Sequence, residues 1–278
     1  PEKVLQFGTG VLLRGLPDYF IDKANKQGMF NGRVVIVKTT DSDSSAFDQQ
    51  DGLHTICVRG VENEKRIEEN IINAAISRVL WARADWKRIL ECAHNPEMKI
   101  IISNTTEVGI QLVQDDITSE PPLSFPGKLL AFLYERFKAF NGSVASGMVI
   151  IPTELITENG AKLESIVLEL AHRNNLDFKF IEWLESSNTF CNSLVDRIVP
   201  GRPNEKTLQQ IESSLGYEDE LLIIAEAFRL WAIQGDEKVK EVLSFRNADN
   251  GMVITDDITI FKELKLRLLN GTHSFNAC

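Results

Sequence analysis

Within its first forty residues the chain runs through an apolar stretch, a glycine turn, an amphipathic stretch and a second apolar run, an order that few folds accept. Val4-Leu-Gln-Phe7 is short and apolar, Gly8-Thr-Gly10 is a turn signal, and Leu16, Tyr19, Phe20, Ile21 and Ala24 recur at helical spacing before Lys26. Val34-Val-Ile-Val37 is then a β-branched run with no polar alternation, which suits a strand covered on both faces. Strand, glycine turn, helix and strand in so short a span make a βαβ unit.

The alternation continues. His54–Arg59 is expected to be a strand, residues 85–93 a helix, Lys99–Ser103 a strand, Pro126–Phe140 a helix that opens on proline, and Val144–Pro152 a strand. Repeated strand–helix alternation predicts an α/β fold with a doubly wound, mostly parallel sheet. Beyond residue 155 the pattern turns helical, with helices expected at 162–173, 180–185, 205–215, 221–233 and 259–269, and one more strand at Met252–Ile254. The two parts are placed at 1–250 and 251–278, the second being the start of a mainly α-helical domain. Gly201-Arg-Pro-Asn204 and Asn247-Ala-Asp-Asn-Gly251 are the clearest loops.

Composition removes several functions. Forty acidic residues against thirty basic ones give a net charge of −10, and there is no Lys/Arg block, so nucleic acid is not an expected partner. No apolar run approaches the ~20 residues that span a bilayer, and no secretory leader pattern opens the chain, so a cytoplasmic protein is expected. Cys57, Cys92, Cys191 and Cys278 are far apart, as are His54, His94, His172 and His273, and no spacing argues for a metal.

Five segments could carry chemistry. Gly8-x-Gly10 at the first strand–helix junction could let a backbone approach a pyrophosphate, although Leu13 stands where a third glycine is usual and Gly15 comes later. After the second strand, Lys38-Thr-Thr-Asp41-Ser-Asp43 leaves the cofactor open: Lys38 suits a 2′-phosphate, Asp41 or Asp43 plain ribose hydroxyls, and a solvated loop suits neither. Ser103-Asn104-Thr105-Thr106-Glu107 lies at a strand exit, where ligands of open α/β sheets bind, or else caps a helix. Lys265, Asn270 and His273, at steps of ~100°, fall within roughly 140° of one helical face. That trio could combine a proton-transferring amine, an oxyanion donor and a hydroxyl ligand; a solvated helix end is the plainer reading. Finally, Leu194-Val-Asp196-Arg197-Ile-Val-Pro200 suggests an Asp–Arg ion pair at a partly buried site, with Arg197 free in principle to hold a substrate carboxylate.

Taken together, Lys265-x4-Asn270-x2-His273 and Leu194–Pro200 resemble the mannitol dehydrogenase family of polyol-specific long-chain dehydrogenases, over essentially the whole chain. Leu5–Gly10, Gln50-Asp-Gly-Leu-His54, Ser103–Glu107 and Phe190–Arg197 narrow the resemblance to its sugar-acid branch. The resemblance implies a Rossmann-like domain, NAD, a small sugar-acid substrate and metal-independent hydride transfer. It also implies that Lys265 is the general acid/base, Asn270 an oxyanion donor and His273 a contact to substrate hydroxyls. Asn159 is the candidate for a second catalytic asparagine, because Glu154-Leu155 stands where relatives often carry Asp-Asn. Gly8, Gly10, Asp41, Asn104, Thr105, Thr106 and Glu107 would bind the cofactor, and Arg197 the substrate. Lys262 stands where relatives place an acid three residues before the lysine. Family members continue well beyond the histidine, and residues 1–278 are therefore expected to bind NAD and to turn over substrate poorly.

Overall fold

The computed structural model describes residues 1–62, 64–105, 109–265 and 267. β1 (Glu2–Phe7) opens the chain, α1 (Val11–Gly15) follows the glycine turn, and α2 (Pro17–Lys26) leads to β2 (Arg33–Lys38). Next come α3 (Ser45–Gln49), β3 (His54–Glu62), β4 (Lys65–Asn73), β5 (Ile76–Trp81), α4 (Ala82–Cys92), β6 (Ile100–Ser103), α5 (Phe125–Ala139) and β7 (Val149–Pro152). The chain goes on through α6 (Asn159–Arg173), α7 (Phe178–Ser187), β8 (Thr189–Phe190), β9 (Ser193–Asp196), α8 (Glu205–Leu215), β10 (Ile223–Glu226), β11 (Leu230–Gln234), α9 (Glu237–Val242), β12 (Met252–Thr255) and α10 (Thr259–Leu264).

The main sheet has six strands in the order β5-β2-β1-β6-β7-β8, and every neighbouring pair is parallel. Strand alternation sorts its side chains between two cores. Leu5, Phe7, Val35, Val37, Ile101 and Ile150 face α4, α5 and α6, whereas Val4, Val34, Ile36, Ile100, Ile102, Val149 and Ile151 face α2, Trp231 and Phe245. Both faces are dry, which is why these strands read as unbroken apolar runs. From β1 the chain winds outward through β2 to β5, then returns to β6 on β1's other side. The order therefore reverses between β1 and β6, and that reversal opens a crevice at their carboxyl ends.

Two smaller sheets, β10-β3-β4 and β12-β11-β9, pack beside it. They correct the sequence reading in two places, and the main sheet corrects it in a third. β3 forms at the expected position but pairs antiparallel with β4 and parallel with β10, outside the main sheet. Residues 221–233 form β10 and β11 rather than a helix. Their near-continuous apolar run fits either template, and pairing with β3, β9 and β12 settles it as strand. Only Val149–Pro152 of the 144–152 segment is strand, while Val144–Ser146 is a 3₁₀ turn.

The helix expected up to Lys26 forms as α2, and a short helix that was not expected, α1, comes before it. α1 breaks at Leu16 (φ −132°, ψ −74°), because Pro17 excludes the helical conformation from the residue before it and starts α2 afresh.

Candidate functional site

The glycine turn after β1 is shaped by its neighbour across the crevice. Gly8 has φ +125° and donates its N–H to the Val37 carbonyl at 3.1 Å, and a Cβ there would lie 3.0 Å from the Asn104 carbonyl oxygen. No other residue fits both demands. Gly10 differs: its φ of −61° is ordinary and a Cβ would meet no protein atom within 4 Å, so its bareness leaves room above the turn. The close packing usually assigned to a third glycine falls to Gly15, where a Cβ would sit 2.9 Å from Val199.

Across the crevice, the β6 exit is tied to the β7 exit. The Asn104 N–H donates to the Phe7 carbonyl (3.1 Å), and its side-chain amide donates to Thr153 Oγ1 (3.0 Å). The buried Glu154 carboxylate accepts from Thr105 N–H (2.8 Å), Thr105 Oγ1 (2.9 Å) and Ser103 Oγ (3.1 Å). Glu154 thus fastens two of the exit residues, Ser103 and Thr105, a role that no local sequence signal announced. Thr106 and Glu107 lie outside the described residues.

One face of the crevice widens into a cleft of about 540 Å³ lined by Gly8–Gly10, Thr39, Thr40, Asn104, Thr105, Gly109 and the start of α5 as far as Lys128. Lys128 was not singled out from the sequence; the signal available was a lysine in the first turns of the helix after the switch-point strand. Asp41 lies one residue beyond the lining threonines and pairs with Arg83 at 3.1 Å, both largely exposed. Lys38 is buried, with its ammonium 5.2 Å from the centre of the Trp81 ring. Asp43 accepts from Ser45 N–H and Oγ, bonds that hold its carboxyl below the usual range.

The opposite side of the crevice is crossed by β9. At its start, Ser193 Oγ donates to the Pro152 carbonyl at the end of β7. Just past its end, Arg197 donates to the Gly15 carbonyl at the end of α1. Between these anchors, Lys265 Nζ donates to the Val195 carbonyl at 2.7 Å and stands 4.0 Å from the Asp196 carboxylate, with its side chain only 18% exposed. The amine is thus drawn in beside the carboxyl edge of the main sheet. Lys262 pairs with Glu158 at 3.7 Å. Asn270 and His273 lie outside the described residues.

Two further candidates sit in other environments. The expected Asp196–Arg197 ion pair does not form. Arg197 is buried, its Nε and Nη2 donate to the Glu226 carbonyl (3.0 and 2.9 Å), and its guanidinium lies 4.5 Å from the centre of the Tyr19 ring. Burial lowers its pKa to about 10. With its donors on main-chain carbonyls, Arg197 clamps β9, β10 and α1. Asn159 is likewise buried and saturated: its amide donates to the carbonyls of Pro152, Glu154 and Ser193, and its Oδ1 accepts from Gly160 and Ser193. It fastens β9 to the end of β7 and has no donor left over for an oxyanion.

A parallel sheet with this strand order, and a glycine turn at its switch point, defines a Rossmann domain. Residues 2–246 match the family model for the mannitol dehydrogenase Rossmann domain, and the chain belongs to the mannitol dehydrogenase family. Over 99% of its length it is 42% identical to an altronate oxidoreductase of Bacillus subtilis (strain 168) and 40% identical to one of Halalkalibacterium halodurans. It spans 57% and 54% of those proteins, a little over half of each. Among solved structures, a ternary complex of Pseudomonas fluorescens mannitol 2-dehydrogenase with NAD and D-mannitol superposes with a TM-score of 0.80 at 22% identity, over 98% of this chain and 56% of that one. A substrate-free D-sorbitol dehydrogenase gives 0.78 at 22%, over 98% and 58%. At that identity, the two structures speak for the fold. No described helix is long and apolar enough to cross a membrane, and no cluster of three metal-ligating side chains occurs among the described residues.

Proposed function

We propose that this chain is the nucleotide-binding part of an NAD-dependent oxidoreductase that interconverts the keto acid D-tagaturonate and the hydroxy acid D-altronate. The observation that carries the reading is Lys265, an amine held by the Val195 carbonyl beside the Asp196 carboxylate, on a strand that crosses the crevice from β7 to α1. NAD fits what is present: Gly8 and Gly10 leave bare backbone at the switch point, and the cleft of about 540 Å³ adjoins them. Bound NADH supplies the hydride. In reduction, the Lys265 ammonium gives a proton to the oxygen of the substrate's ketone as its carbon is reduced; in oxidation, the neutral amine takes that proton back. Asp196 balances the ammonium charge. Asn270 and His273 keep the roles that the family motif implies, oxyanion donor and hydroxyl ligand. Arg197 and Asn159 serve by holding β9 in place.

The test is NADH oxidation by the full-length chain with tagaturonate, fructuronate and fructose, in the wild type and in Lys265→Ala. The reading expects turnover with tagaturonate above the other two, and loss of turnover with NADH binding retained in the variant. A preference for fructuronate or fructose moves the assignment to a sibling specificity. NADH binding without turnover of any of the three leaves a nucleotide-binding module.

A further inference from the structure

Lys128 is the one charged side chain among the described residues lining the cleft beside the glycine turn. It is 6% exposed, and its ammonium lies 2.7 Å from the Leu123 carbonyl and 3.4 Å from that of Ser124. An ammonium has three donors, so one N–H remains for the cleft. Among the described residues, Lys128 makes no ion pair. Asp115, the carboxylate that influences it, is engaged with Leu123 N–H, Ser124 N–H and Ser124 Oγ. Burial lowers the lysine's pKa, and Asp115 only partly restores it. A charge kept this dry is stabilised by an anion arriving in the cleft.

The glycine turn itself is short of positive potential. A long helix ordinarily provides it, and α1 has only five residues before the break at Leu16. Thr9, Thr39, Thr40, Asn104 and Thr105 bring hydroxyls and amides to the same cleft but no charge.

We propose that Lys128 supplies the cation that holds an anionic oxygen of the dinucleotide's diphosphate. The cleft would accordingly accept nucleoside diphosphates generally. This rests on the dinucleotide-binding reading above and adds the residue that sets its affinity.

The test compares wild type, Lys128→Met and Lys128→Arg in the full-length chain, using titrations of NADH, NADPH and ADP at low and high salt. Lys128→Met should weaken NADH and ADP alike by about tenfold or more and flatten the salt dependence, and Lys128→Arg should restore most of the loss. A wild type that binds NADH no better than Lys128→Met overturns the proposal and leaves the dinucleotide reading standing. A wild type that binds neither NADH nor ADP overturns that reading itself. A loss that Lys128→Arg does not restore and salt does not change marks a packing role. A larger loss for NADPH than for NADH moves the amine to the ribose. Either of these last two results also rejects the assignment to the diphosphate.

Discussion

The Lys265 ammonium stands 2.7 Å from the Val195 carbonyl and 4.0 Å from the Asp196 carboxylate, so two consecutive residues of β9 give it both an anchor and a counter-charge. Replacing Asp196 with Asn keeps the shape and removes the charge. Turnover should fall by about tenfold or more. NADH affinity should stay within about twofold, because Asp196 lies on the β9 side of the crevice. Steady-state rates in both directions, with fluorescence titration of NADH, check this; unchanged turnover would count against the pairing.

Gly8 and Gly10 should respond to alanine in opposite ways. Gly8→Ala forces a side chain into φ +125° and against the Asn104 carbonyl, at a cost of about 1–3 kcal/mol of stability. Gly10→Ala meets no protein atom and should cost at most about 1 kcal/mol, yet it should weaken NADH binding by placing a methyl where the phosphates approach. Urea unfolding and NADH titration of the two variants separate these effects.

Removing the Glu154 carboxylate leaves Ser103 Oγ and the Thr105 N–H and Oγ1 without that shared acceptor. Glu154→Ala is expected to cost about 2 kcal/mol and to weaken NADH by loosening the β6 exit, with Glu154→Gln intermediate in both. Denaturant midpoints and NADH affinity should therefore fall in the same order. Affinity unchanged in Glu154→Ala would show that the exit keeps its shape without the carboxylate.

For Arg197 the expected loss is structural. Lysine cannot reproduce the fork that joins the Glu226 and Gly15 carbonyls, so Arg197→Lys should lower stability by about 2 kcal/mol. KM for the keto acid should change by less than about twofold. A tenfold rise in KM at unchanged stability would instead make this arginine the substrate's carboxylate ligand.

Two buried groups near Arg14 tilt stability with pH in opposite senses. Burial raises Asp18 to about 7, against the pull of its Gln6 hydrogen bond and of Arg14. Its contribution is fully present below 3.8 and is lost as pH rises through 7. Burial, and then the charge of Arg14, lower His54 from 6.5 to about 4. Its contribution is present above 6.5 and is lost as pH falls toward 4. Between 4 and 6.5 the two slopes oppose each other. Asp18→Asn should therefore expose a loss of stability on acidification across that window, and His54→Phe a loss on raising the pH toward 7. Denaturant unfolding at several pH values measures both.

The parts of the fold legible in the sequence were those decided by near neighbours. β1, β2, β6 and β7 are short apolar runs because both their faces are dry, and α2, α5, α6 and α8 carry helical spacing, three of them with recognisable starts. Pro17 opens α2, Ser124 caps α5 by accepting from the Gly127 N–H, and Asn204 caps α8 by accepting from the Thr207 N–H. β4 escaped notice. It is mostly polar and exposed, and it is a strand because it pairs with β3 from His54–Asn73 to Glu62–Lys65. Cross-strand pairing of this kind leaves little apolar pattern along the strand itself.

The sequence by itself determined a doubly wound sheet, a glycine turn at its first junction and the family to which the Lys265 motif points, because each of these follows from residues close together in the chain. Which partner each polar side chain meets was decided only by the tertiary structure. It drew Asp196 to Lys265, turned Arg197 away to Gly15 and Glu226, closed Asn159 onto Pro152 and Ser193, and set Lys128 in the cleft beside Gly8. Most of these contacts join residues dozens of positions apart, and a buried donor or acceptor takes whichever group the packed strands bring within reach.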